Sequence, residues 1–91
     1  EGRIENAYTL NLMNLDATTH DYELSVSGLP GLEIVGQQAF SAAPGSIQPL
    51  TVTVSAPHNG EHSGIHPIRF KLVAKHDPAI RTEEKSSFIL P

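Results

Sequence analysis

The stretch Ile68-Arg69-Phe70-Lys71-Leu72-Val73-Ala74 decides the fold: Ile68, Phe70, Leu72 and Ala74 fall on one side of an extended chain, Arg69 and Lys71 on the other. A period of two is the signature of a strand with one buried face, because successive side chains of an extended chain point to opposite sides. Working outward, Leu50, Val52 and Val54 repeat the pattern around Thr51 and Thr53, Tyr22, Leu24 and Val26 repeat it around Glu23 and Ser25, and Tyr8, Leu10 and Leu12 repeat it around Thr9 and Asn11. Alternation of this kind predicts antiparallel sheets wetted on their outer faces. No stretch of useful length carries a helical period.

Turn chemistry separates these segments: Asp16 to His20, Gly28-Leu29-Pro30-Gly31, Ala43-Pro44-Gly45-Ser46, Pro57 to Gly64, and Asp77-Pro78. The predicted strands are residues 4–14, 20–28, 32–36, 38–42, 47–55, 65–75 and 80–90. Gly36 is open to two readings, a bulge in one strand or a turn between two short ones; we read two. Seven short antiparallel strands with no helix predict an all-β fold, a two-sheet immunoglobulin-like sandwich, and seven is the count of a constant-type domain. The Cys and Trp signature of antibody domains is missing, so the centre of the core falls to aliphatic residues or to Phe70 and Phe88.

Ninety-one residues make one domain, residues 1–91, and the 38% hydrophobic and 18% charged composition is that of an ordinary globular chain. With no cysteine there is no disulfide, no thiolate nucleophile and no Cys-held zinc or iron–sulfur cluster in this segment. No apolar run reaches the roughly 20 residues of a membrane-spanning helix. The chain opens on Glu1 and ends at Pro91 after an apolar strand, which we read as a domain excised from a longer protein. Net charge is -4, and of the six bases only Arg3 lies in residues 1–45, with Arg69, Lys71, Lys75, Arg81 and Lys85 in residues 46–91. Their odd positions put them on one outer sheet face, where Lys and Arg guard exposed strands. An acidic chain with 5% aromatic residues lacks the basic excess and stacking surface of a nucleic-acid binder.

Catalytic signatures are missing. There is no Gly-x-Ser-x-Gly elbow, and Glu83 and Glu84 fall on opposite faces of one strand, so they cannot flank a single bond. His20-Asp21 and His76-Asp77 are neighbours in sequence within predicted turns, and we read them as turn-forming polar residues. The anomaly is His58-Asn59-Gly60-Glu61-His62-Ser63-Gly64-Ile65-His66, three histidines spaced by four with a carboxylate between. Such a donor set suits zinc or copper(II), but Pro57, Gly60, Gly64 and Pro67 forbid the helix that would converge the rings. The economical reading is a His-containing loop; the alternative is a weak transition-metal module using His58, Glu61, His62 and His66.

Two runs carry a family resemblance: Ile4-Glu5-Asn6-Ala7-Tyr8-Thr9-Leu10-Asn11-Leu12-Met13-Asn14, and Tyr22-Glu23-Leu24-Ser25-Val26-Ser27-Gly28-Leu29-Pro30-Gly31-Leu32. Together with Ala43-Pro44-Gly45 ahead of Leu50 to Val54, and with Ile68-Arg69-Phe70, they resemble the C-terminal domain of the FixG/CcoG family over nearly the whole chain. The resemblance implies a parent that is a multi-spanning inner-membrane iron–sulfur protein of a Gram-negative bacterium, linked to cbb3-type cytochrome oxidase assembly and copper handling. It implies [4Fe–4S] clusters in the rest of that parent and no cofactor here, since no residue of this chain is a Cys. The expected role is a non-catalytic interaction or structural domain on the periplasmic side. It would contact an oxidase-assembly protein or the parent's own membrane region.

Overall fold

The computed structural model describes residues 2–58 and 63–91. Seven strands follow one another: β1 (Arg3–Asn14), β2 (His20–Ser27), β3 (Glu33–Val35), β4 (Ala39–Ala42), β5 (Ser46–Pro57), β6 (Gly64–Ala74) and β7 (Asp77–Leu90). There is no helix among the described residues. The strands form two sheets in the orders β1-β5-β3 and β4-β2-β6-β7, and every ladder is antiparallel.

Alternation generates the core as the sequence predicts. Leu10 and Leu12 of β1 and Leu50, Val52, Val54 and Ala56 of β5 face Tyr22 and Leu24 of β2, Ile68, Phe70, Leu72 and Ala74 of β6, and Phe88 and Leu90 of β7. Phe70 and Phe88 are the two largest of the fully buried side chains, so they fill the centre that Trp and a disulfide hold in antibody domains. Tyr8 stacks its ring edge-on to Phe70 at 5.1 Å and 69°, the T-shaped arrangement that the ring quadrupoles favour.

Gly36, with φ at 98°, turns the chain from β3 in one sheet to β4 in the other, so the two short strands stand as separate elements. Gly28 has φ at 129°, and a Cβ there would meet the Pro67 carbonyl oxygen at 2.6 Å and Ile68 Cα at 2.9 Å. The chain leaving β2 must therefore pass directly against β6, which only glycine allows.

Two sequence expectations need correcting. The predicted turn at Asp77-Pro78 lies inside β7: the β6–β7 connection is Lys75-His76, and the register jumps from Ala74↔Asp77 to Val73↔Arg81. Pro78 has no N–H to give the ladder, and Asp77 Oδ1 accepts instead from the Ala79 amide at 3.2 Å, so the strand bulges rather than ends. The pair His20-Asp21, read as turn residues, lies in β2, whose predicted start at residue 20 stands.

The count of seven matches a constant-type domain, but the partition does not. There the sheets run A-B-E-D and C-F-G. Here β1 pairs with β5, β5 with β3, β2 with β6 and β6 with β7, the places of strands B, E, D, C, F and G. β4 borders β2, and the place of strand A, beside β1, is open.

Candidate functional site

The antiparallel registers give the sandwich two distinct poles, about 47 Å being its longest dimension. Gly2 and Pro91 share one of them. The Gly2 carbonyl accepts from the His58 amide at 3.0 Å, and His58 Nε2 lies 3.2 Å from the Pro91 carbonyl oxygen. Along the same flank, Asn6 Nδ2 donates to the Ile89 carbonyl at 3.3 Å and the Tyr8 hydroxyl to the Ser87 carbonyl at 2.8 Å. Burial holds the Tyr8 phenol above its ordinary pKa of 10.0.

At the opposite pole the turn after β1 and the turn after β4 are drawn together by Asn14. Its side chain is 1% exposed and has every partner it needs. Nδ2 donates to the Thr18 carbonyl at 2.8 Å and the Ala42 carbonyl at 2.9 Å, while Oδ1 accepts from the Asp16 amide at 3.0 Å. Asp16 also reaches His20, Oδ2 to Nε2 at 2.8 Å. Beside it, burial and then the Asp16 charge raise the pKa of Tyr22.

This rigid corner presents apolar surface to water. Met13 and Ile47 are cross-strand partners in the β1–β5 ladder, and they are 50% and 65% exposed. Leu15, two residues on from Met13, is exposed as well. Scattered exposed apolar residues are ordinary, whereas these are neighbours on one corner. A second exposed pair, Ile65 and Ile89, lies on the outer face of the other sheet near the pole of Gly2 and Pro91.

The residues singled out in the sequence fall as follows. His58 is exposed at the end of β5, and His66 is half-buried in β6 opposite Phe88. Glu61 and His62 lie outside the described residues. His58 follows the last residue of β5, and His66 stands on the inward, even-numbered row of β6 at the same pole. No group of three or more potential ligands assembles among the described residues. Asp21 accepts a hydrogen bond from the Ser41 hydroxyl and leaves His20 to Asp16. Glu83 lies on the outer face between Arg69 and Lys71, at 3.7 and 3.8 Å, so the basic row is interleaved with acid, a solvated sheet surface. A groove of about 550 Å³ opens where β2 runs on past β4; its ionisable lining is Glu23 and Glu33. The second of these carboxylates turns to Arg3 at 3.7 Å.

What the sequence reading missed is the exposed Met13–Ile47 pair and the Asn14 corner. β1 shows only Met13, and β5 only Ile47, as a large aliphatic side chain at an odd position, and the pairing emerges once the register sets position 13 against position 47.

Comparison with known proteins now adds its weight. A family model described as "IG-like fold at C-terminal of FixG, putative oxidoreductase" matches residues 1–91. A crystal structure of a FixG-related protein from Vibrio parahaemolyticus is similar, with a TM-score of 0.85 and 31% sequence identity over 96% of this chain and 79% of that one. No curated protein matches.

Proposed function

Since the chain belongs to the family of immunoglobulin-like domains found at the C-terminus of FixG, we propose that it is the non-catalytic interaction and structural module of a FixG-type parent. In this reading the parent is an inner-membrane protein carrying [4Fe–4S] clusters, and the domain stands on the periplasmic side. There it engages an oxidase-assembly partner in cbb3-type oxidase maturation and copper handling. The observation that carries the proposal is the group of exposed apolar side chains Met13, Leu15 and Ile47, at the pole opposite Gly2 and Pro91. A cluster of exposed apolar side chains on a corner fixed by Asn14 suits a partner's hydrophobic hot spot.

The test is made in the full-length parent. Replacing Met13 and Ile47 together by Ser should lower oxidase activity as far as deleting the domain does, with the protein still inserted at normal level. Full oxidase activity in both strains would remove the reading.

The position of His58 and His66 at one pole favours a second reading, a weak transition-metal site formed by His58, Glu61, His62 and His66. Copper(II) calorimetry on the wild type and on the variant with His58, His62 and His66 all replaced by Ala decides it: identical heats would dismiss the site.

A further inference from the structure

The sandwich has four edge strands, β1 and β3 in one sheet and β4 and β7 in the other. An open edge is a row of unpaired N–H and C=O groups, and natural sheets blunt such rows with short strands, charge, proline or a cover. Three of the four are blunted. β3 and β4 are 3 and 4 residues long. β7 carries Pro78, Arg81, Glu83, Glu84 and Lys85, and side chains of β1 occupy its Ser87 and Ile89 carbonyls. β1 is the exception. It runs for 12 residues with no proline, and from Asn6 to Asn14 it has no charge. Its neighbour β5 is on one side only.

Topology says what belongs there. With β1 in the place of strand B, the open position is that of strand A, which in a constant-type domain immediately precedes B and pairs with it antiparallel. The similar crystal structure is longer than this match, with about a fifth of its chain outside it.

We propose that the free edge of β1 is the docking site for an extended segment of the parent chain lying immediately upstream of Glu1, folded back antiparallel to make the fourth strand of the β1-β5-β3 sheet. This stands on the fold and the family and is independent of any role in oxidase assembly. Matching the 12 residues of β1 and allowing a turn of about 2 to 5 residues, the segment occupies roughly the 15 residues before Glu1. Its side chains alternate. One set turns inward beside Ile4, Asn6 and Tyr8; the other joins Ala7, Thr9 and Asn11 on the outer face.

The experiment compares the chain from Glu1 to Pro91 with the same chain extended upstream by about 15 residues of the parent reading frame. Residue-resolved amide exchange in the extended chain should show both alternating sets of β1 amides protected, the set facing away from β5 slowing by roughly 100-fold against the shorter chain. A cysteine scan gives a second readout, because the chain has no native cysteine. With T9C in β1, single cysteines upstream should form disulfides only at alternate positions, within a narrow window opposite Thr9. Three results would each overturn the proposal: an upstream segment that exchanges as random coil, cross-links without alternation, or β1 of one copy pairing with β1 of another in a sedimenting dimer.

Discussion

The two ends of β1 are fastened by opposite chemistry. At its last residue, Asn14 is a neutral amide sealed from water, with three hydrogen bonds and none left over. At its first, Arg3 is a half-exposed guanidinium: Nε donates to Ser55 Oγ at 3.0 Å, and Nη2 to the Gly31 carbonyl at 2.7 Å and the Ser55 carbonyl at 3.1 Å, with Glu33 at 3.7 Å. Both hold β1 to segments distant in the chain. Yet the neutral anchor should matter more, because breaking it strands the buried Ala42 carbonyl, whereas water can replace an exposed cation.

Asn14→Ala is the severest test: the Ala42 carbonyl loses its donor and stays buried, which should cost about 2 to 4 kcal/mol in urea unfolding. Arg3→Ala should cost about 1 kcal/mol, since the side chain is more than a third exposed; a loss equal to that of Asn14→Ala would erase the contrast. Tyr8, midway between, sharpens it. Tyr8→Phe forfeits the bond to Ser87 and should cost roughly 0.5 to 1 kcal/mol at neutral pH. The folded protein holds this phenol's pKa above the ordinary 10.0, so its protonated form favours folding. That contribution is intact below pH 10 and is lost as pH rises through the raised folded value, so wild-type stability should decline in alkali and the Phe variant should decline less steeply. Tyr22, shifted in the same direction, leaves a residual slope. The smallest effect belongs to Glu33→Gln, about 0.3 kcal/mol or less and vanishing in molar salt, where an exposed pair is screened.

Much of the fold is legible because its signal is local. Every strand shows its period within a few residues, and Gly36 marks a real break. What is not legible depends on distance along the chain. Nothing near Asn14 shows that Ala42 will need its amide, nor does anything near Arg3 announce Ser55. The division into sheets has the same cause: β1 finds β5 across three intervening strands, a choice made by packing. At Asp77-Pro78 a strong turn signal was absorbed as a bulge because Arg81 to Leu90 pairs so continuously with β6. The histidine series tempts one to a helical spacing, whereas the end of β5 and the start of β6 set His58 and His66 at one pole.

Placing Gly2 and Pro91 at the same pole also determines how the domain answers tension. A pull between them loads the β1–β5 and β6–β7 ladders at their extremities, where Arg3 meets Pro57 and Leu90 meets Gly64. The rungs then give way singly, like a zip, instead of resisting together in shear. Pulled at these two residues, the 91-residue chain yields to a gentle tug.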